Sequence, residues 1–415
     1  MIRDVNQVEE NLKMKKLVPW IDLTPRKESY ANKKINVVFH IGTATEHWSS
    51  VKPLYDSFLE DKKYNVLVVP ANSPHIEEDA KRILRDNVPI AKEVELSESI
   101  VPDIVIASGF GYNEPYELPT IKIFGKAKMT VGIFSKLVDF DICGTPEKYY
   151  EYFGTNSRVA HCDYCLADTS LHKRLIEDTN EIRRNKLIEM GHPKFDRVFL
   201  STKEKFYPSN WKKLEGRKVV LWAPVHGVYN KKVQWWYTVD VYANRIIKYA
   251  SEHKKVGLII RLQNMLIWEL IEQGIWSYRD IEALKGFCER SENIIFDDGD
   301  SYIPAYSIMD GVITDNRCSV EHTAFPTLKP ICILYRNDME LGSDTQDLKE
   351  ILYSAHNLDD IDKFYEMIVQ GNDPMLDIRK RKMNSFVKNF DGKNTERIKE
   401  FIEEKFYDKW VLKEC

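Results

Sequence analysis

The chain has 415 residues, 43% hydrophobic and 12% aromatic, and its 60 basic and 64 acidic side chains leave a net charge of −4. That length predicts two or three domains, and the composition excludes a disordered or fibrous chain. A charge balance so close to zero excludes a protein that binds nucleic acid over its whole surface, while a local phosphate site remains compatible with it. The charged start, MIRDVNQVEENLKMKK, lacks the apolar core of a secretory signal. The longest apolar runs, near Ile104 and Gly257, fall far short of the ~20 residues a membrane span needs. The expectation is a soluble, cytoplasmic protein, with any membrane contact peripheral. Seven scattered cysteines make no disulfide framework. The pair Cys162 and Cys165 reads as part of a buried strand, and no metal site is expected.

In chain order, residues 1–33 read as a short helix and a loose lead-in. Ile35–His40 is an apolar run of the kind buried on both faces of a parallel sheet. A loop to Trp48 follows, then helical spacing at Val51, Leu54, Tyr55 and Phe58. Strands are expected at Tyr64–Pro70, Ile104–Ala107, Thr120–Phe124, Asp163–Ala167 and Leu187–Gly191, with a charged helix over 75–87. A polar, lysine-rich stretch from Ser201 to Arg217 marks a boundary. A second alternation then begins, with strands at Lys218–Pro224, Val256–Arg261, Asn293–Phe296, Gly311–Thr314 and Pro330–Tyr335. Helices are expected at Val239–Ser251, 264–273, from Ser301 through Met309, and Cys318–Thr327, with a charged helical tail over 358–410. This alternation predicts an α/β protein of two Rossmann-like domains facing a cleft. The domains run 1–200 and 201–385, and a C-terminal helix, 386–415, returns to the first.

Ligands of such sheets bind beyond the carboxyl ends of the strands, so the loops that follow strands are the ones to read. Thr314 to His322 opens a helix, where Ser319 and free N–H groups can meet an anion and Arg317 adds charge; the alternative is that Asp315 and Ser319 are only caps. Arg261 follows a strand directly and suits phosphate oxygens, or is a solvated strand end. Pro224-Val225-His226 places a histidine after another strand, for phosphate or proton transfer or for neither. His192 and Lys194 sit at a strand end where Pro193 alone can account for a rigid turn. Asp297, Asp298 and Asp300 lack the spacing of a calcium loop and read as a solvated loop with Ser301 as a cap. Gln234-Trp235-Trp236-Tyr237 can stack a base or sugar, or cover the core. Lys203, Lys205, Lys212, Lys213 and Arg217 can meet anionic lipid, although Glu204 and Glu215 dilute them and a solvated linker is the simpler reading. Sequence signatures of P-loop, dinucleotide, zincin and hydrolase sites do not occur.

Taken in order, these loops resemble the CDP-glycerol glycerophosphotransferase family, enzymes of teichoic acid and capsule polymer synthesis. The resemblance covers roughly residues 187–336. Its clearest part runs from Met309 to Ala324 and on through Lys329-Pro330-Ile331. Lys218 to His226, Ile259 to Gln263 and Gly191 to Asp196 are similar to further segments of that family in the same order.

The resemblance implies a GT-B fold, with the nucleotide donor held mainly by the second domain. It implies Arg261 on the donor phosphates, with Gln263, Asp315, Asn316, Arg317, Ser319, Val320, Glu321, His192 and Pro224 around the donor and His226 lining the site. Two positions depart from the family. Gln263 stands where the family has histidine, and the family's first-domain His-Gly-Thr has no clear counterpart, which leaves His40, His47, Glu46 or a residue within 109–137 as candidate bases. The implied activity is transfer of glycerol phosphate from CDP-glycerol to the hydroxyl of a polysaccharide or lipid-linked acceptor, at the inner face of the membrane. No separate cofactor and no nucleic acid are expected. A GT-B glycosyltransferase using a nucleotide sugar and a non-catalytic GT-B-like binding subunit are the alternatives.

Overall fold

The computed structural model describes residues 30, 33–41, 45–70, 101–108, 125–133, 162–167, 173, 186–225, 237–299, 301–315, 319–336 and 350–411. The chain divides into two compact units. One comprises Met1–Ser135, Thr155–Leu166 and Thr395–Cys415, the other Lys136–Gly154 and Ala167–Asn394.

The first part of the chain supplies β1 (Ile35–Ile41), α1 (Thr45–Leu59), β2 (Tyr64–Pro70), β3 (Ile104–Ser108), β4 (Met129–Ile133), β5 (Tyr164–Ala167) and β6 (Leu187–Glu189). Their sheet has the order β2-β1-β3-β4-β5-β6. Then come α2 (Pro193–Ser201), a 3-10 turn at Ser209–Leu214, β7 (Lys218–Ala223), α3 (Val239–Glu252), β8 (Val256–Ile260), α4 (Asn264–Glu272), α5 (Tyr278–Arg290), β9 (Ile294–Phe296) and α6 (Ile303–Ile308). They are followed by β10 (Gly311–Asp315), α7 (Ser319–Ala324), β11 (Ile331–Leu334), β12 (Tyr353–Ala355), α8 (Leu358–Gln370), α9 (Leu376–Phe386) and α10 (Asn394–Trp410). The second sheet has the order β12-β11-β10-β7-β8-β9. Counted from its own first strand this is the doubly wound order of dinucleotide-binding sheets, with the chain reversing direction between β7 and β10. In the first sheet the reversal lies between β1 and β3.

The apolar runs form strands because both of their faces are covered. Along β7, Val219, Leu221 and Ala223 enter one core and Val220 and Trp222 the other. The tail helix α10 belongs to the first unit, as expected. There Glu403 accepts from the Tyr64 hydroxyl (2.7 Å), Lys399 donates to the Ser57 carbonyl (2.9 Å), and Phe401 meets Tyr164 edge-on.

The amino ends of the strands share one device. Asp103, Asp163 and Asp310 each precede a strand, and each reaches the second residue of the neighbouring strand. Asp103 donates its N–H to the Asn36 carbonyl and accepts the Asn36 N–H, both at 2.9 Å. Asp163 does the same with Thr130, again at 2.9 Å in both directions. Asp310 does so with Val219, at 2.6 and 2.9 Å. A parallel strand start leaves N–H groups without ladder partners, and a carboxylate one residue upstream of the next strand satisfies them and sets the register.

Several elements differ from the sequence reading. The turn expected at His192–Asp196 is the start of α2: Pro193 lies in its first turn and His192 caps it. Helix α1 begins at Thr45, inside the expected loop. Helix α5, the 3-10 turn and strands β4 and β12 were not expected. Ser277 and Asp280 form a reciprocal capping box that starts α5. The strand expected at Thr120–Phe124 and the helix expected over 75–87 lie outside the described residues.

Gly191 must be glycine. Its φ is +82°, and a Cβ there would meet Asn394 Oδ1 at 2.4 Å and the Lys388 carbonyl at 2.8 Å.

Loss of the aspartate pins should rank by burial. Asp103 also accepts from the Tyr30 hydroxyl (2.6 Å) and pairs with Lys128 (3.3 Å). Asp103→Ala should cost about 3–5 kcal/mol, because it removes the carboxylate partner of a mostly buried lysine. Asp163→Ala should cost about 1–3 kcal/mol, the price of unmet hydrogen bonds. Urea unfolding of the two variants checks the order.

Candidate functional site

At the carboxyl end of the second sheet a single carboxylate joins three segments of the chain. Asp315, the last residue of β10, is fully buried. One oxygen accepts the Val225 N–H (2.8 Å), just beyond β7. The other accepts the Thr238 hydroxyl (2.5 Å) and the Thr238 N–H (3.2 Å), just before α3. The loop between Val225 and Thr238 is therefore pinned at both ends by one side chain. Beside it the Thr314 hydroxyl donates to the Ala223 carbonyl (2.6 Å), tying β10 to β7 again. Farther along the edge, the Tyr242 hydroxyl donates to the Tyr335 carbonyl (2.8 Å), and Arg336 pairs with Asp240 (2.9 Å).

Desolvation pushes the Asp315 carboxyl up to about 7, against the hydrogen bonds from Thr238 and Val225, which favour the ionised form. Asp315 is thus an anchor of the loops, with both oxygens engaged by protein donors.

On the other side of β7 lie β8 and β9. Arg261 and Asp297 follow these strands directly. The ladder pairs Ile260 with Phe296 and continues through the Asp297 N–H to the Ile260 carbonyl (2.8 Å), so the two side chains emerge side by side. Arg261 Nη1 meets Asp297 Oδ2 at 2.6 Å and the Ser301 carbonyl at 3.4 Å. The other Asp297 oxygen accepts the Gly299 N–H (3.0 Å). Its side chain is 4% exposed and that of Arg261 20%. The solvated aspartate loop expected at 297–300 is therefore wrong at Asp297, which is a buried counter-ion. Ser301, as expected, meets the Ile303 N–H at the start of α6 (3.3 Å).

The remaining predicted residues fall into three groups. Gln263 and buried Pro224 lie at strand ends of this same sheet, Gln263 at the start of α4. His192 is fully buried and its Nδ1 accepts the Lys194 N–H (3.1 Å), while Val320 packs on the core. His40 is buried near the end of β1 in the first unit. His226, Asn316 and Arg317 lie outside the described residues, as do the side chains of His47, Ser319 and Glu321, although α1 and α7 place their backbones. Trp235 and Trp236 also lie outside, whereas Tyr237 is fully buried against Trp222 and Tyr242. Cys162 and Cys165 are buried. Among the described residues no helix is long and apolar enough to cross a membrane.

Sequence reasoning missed Thr238 and Asp297. Nothing near Thr238 distinguishes it from an ordinary helix start. Asp297 was findable: it follows β9 as Arg261 follows β8, and adjacent parallel strands place such residues together.

No protein-family model matches the chain, and no curated protein matches it in sequence. Its fold is shared with solved structures. A putative UDP-N-acetylglucosamine 2-epimerase from Listeria monocytogenes is 13% identical over 90% of this chain and 97% of that one, with a TM-score of 0.61. The UDP-GlcNAc 2-epimerase from Neisseria meningitidis, bound to UDP-GlcNAc, is 13% identical over 89% and 100%, with a TM-score of 0.57. A variant of the wall teichoic acid polymerase TagF, soaked with CDPG, is 15% identical over 98% of both chains, with a TM-score of 0.57. The fold is GT-B. At such identities the likeness is one of fold, and a fold of this kind carries several chemistries.

The Asp315 anchor makes stability depend on pH in a defined sense. A carboxyl raised in the folded state contributes most below its unfolded value near 4, and that contribution is lost as pH rises through about 7. Thr238→Val removes a bond to the ionised form. It should therefore destabilise the second unit by about 1–3 kcal/mol at pH 8 and by less at pH 5. Denaturant melts at the two pH values test this, and an equal loss at both would count against it.

Proposed function

We propose that this chain is a GT-B transferase of cell-surface polymer synthesis that takes a polyol phosphate from CDP-glycerol. The observation that carries the reading is Arg261. It stands at the carboxyl end of the doubly wound sheet, partly buried, and among the described residues one of its guanidinium nitrogens is engaged by protein. In such sheets this end receives nucleotide phosphates, and a guanidinium with a free pair of N–H groups suits them. The segment from Met309 to Ile331 supports the CDP-glycerol assignment. Its β10 forms one side of the chain reversal at which ligands of this fold class sit. The solved structures of this fold that hold UDP-GlcNAc or were soaked with CDPG support a nucleotide-linked substrate.

In this reading an acceptor hydroxyl attacks the β-phosphorus, the bond from that phosphorus to the bridging oxygen breaks, and CMP leaves with the electron pair. Arg261 offsets charge on the phosphates as it builds on the leaving group. Pro224, Gln263 and the backbone beyond β10 line the donor, and His226 is its candidate proton-handling residue. A second reading, a nucleotide-sugar enzyme, is favoured by Gln263. A neutral amide donates a hydrogen bond where the family's histidine can bring charge, and so the donor differs from the family's at that contact.

Isothermal titration with CDP-glycerol, CMP and UDP-GlcNAc decides between them. CDP-glycerol and CMP should bind, and Arg261→Ala should weaken both by roughly tenfold or more, as expected for a charged hydrogen bond. Binding of UDP-GlcNAc alone would select the nucleotide-sugar reading. Binding of none would leave neither standing.

A further inference from the structure

We infer that Asp297 is a positioning residue of the phosphate site, holding Arg261 so that the Nε–Nη2 edge of its guanidinium faces a diphosphate. The inference rests on the phosphate-binding reading of Arg261 and adds to it the residue that aims the charge.

Three observations carry it. First, the register leaves little freedom in where the pair sits. Arg261 donates its N–H to the Trp222 carbonyl (2.9 Å) and Asp297 donates its N–H to the Ile260 carbonyl (2.8 Å), so both α-carbons are fixed by the ladder just past its last paired residues. Second, the contacts fall on one nitrogen. Asp297 and the Ser301 carbonyl both lie on Nη1, and among the described residues Nε and Nη2 have no partner. A fork of two parallel N–H groups is the arrangement that recognises a phosphate or carboxylate with two bonds. Third, Asp297 is itself held. Its second oxygen takes the Gly299 N–H, and the side chain is almost wholly shielded from water, so it cannot swing to a new position with its partner. An exposed ion pair would aim nothing, because both side chains would sample many rotamers.

The pair also sets the character of the site. Asp297 cancels most of the charge of Arg261, so the fork recognises its ligand through directed hydrogen bonds. Asn at position 297 would keep an oxygen for Nη1; Ala would keep nothing, and the guanidinium would be free to turn.

Titration of CDP and UDP into the folded protein tests the role. With whichever diphosphate the parent chain binds, Asp297→Ala should weaken binding about tenfold or more, the usual consequence of truncating one partner of a buried charge pair. Asp297→Asn should stay within about threefold, and the double variant Arg261→Ala with Asp297→Ala should bind no more weakly than Arg261→Ala alone. A merely structural aspartate would lower the melting temperature but would add its loss to that of Arg261→Ala. Where Asp297→Ala does not fold, Asp297→Glu replaces it, moving the carboxylate outward by one methylene while keeping its charge, with the same loss expected. Parent-like binding by Asp297→Ala or Asp297→Glu, or additive losses in the double variant, overturns the role of Asp297 and leaves the reading of Arg261 intact. A parent chain that binds neither diphosphate overturns both.

Discussion

The second unit depends on a carboxylate buried where the sheet ends. Strands covered on both faces have no room for polar atoms along their length, so polarity collects at their tips. At the carboxyl tips of β7 and β10 the chain must leave the sheet and return to begin α3, and it exposes backbone N–H groups inside the protein as it does so. Asp315 meets two of them and the Thr238 hydroxyl besides. The cost is desolvation of its charge, visible in the raised carboxyl. What is obtained is geometry: the ends of the loop after β7 cannot drift apart, because one rigid side chain binds both. Replacing it with an apolar residue would leave three donors unmet, which is worse than the penalty of burying the acid.

The same constraint acts at the amino tips, where Asp103, Asp163 and Asp310 pin neighbouring strands. The two ends differ in what the aspartates leave over. At the amino tips every described carboxylate bond runs to a strand start, a tyrosine, a threonine or a lysine of the scaffold. At the carboxyl tips Asp297 binds Arg261 on one nitrogen, and among the described residues the other edge of the guanidinium has no partner. Structure is fixed at one end of the sheet, and in the proposed reading the polar group at the other meets the ligand.

Much of this fold is legible in the sequence because buried parallel strands are short apolar runs, and the runs at Ile35, Tyr64, Ile104, Lys218, Val256, Ile294, Gly311 and Ile331 all became strands. The losses have physical causes. Strand β4 is five residues with a glycine, too brief for a pattern. Strand β12 is three residues at a sheet edge. Helix α5 is so charged that its buried stripe is reduced to Ile281 and Cys288, and its start is marked by hydrogen bonds rather than by hydrophobicity. Helix α2 hid behind Pro193, which reads as a turn unless it is taken as a first-turn residue with His192 as its cap. The site was less legible than the fold. A sequence shows that Asp315 and Asp297 follow strands, but burial decides their roles. Solvated aspartates there would be surface loops, and buried ones bind whatever donor the neighbouring strand offers. For Asp297 that donor is Arg261, and only strand order makes them neighbours.

Sharing a fold with epimerases and a polymerase transfers no chemistry by itself, because such sheets present whatever their strand ends carry. Among the described residues those ends carry matched charges. Arg261 is offset by Asp297 and Arg336 by Asp240, so little net charge is left among the described residues there. A site of that kind cannot gather a diphosphate from a distance by its field, as a cluster of unpaired lysines does. It must recognise the ligand after contact, through the angle and spacing of N–H groups, and its affinity should respond weakly to salt. The near balance of charge over the whole chain is then repeated among the described residues at these strand ends. In the proposed reading a phosphate is met without a basic patch, because a buried carboxylate holds an arginine still.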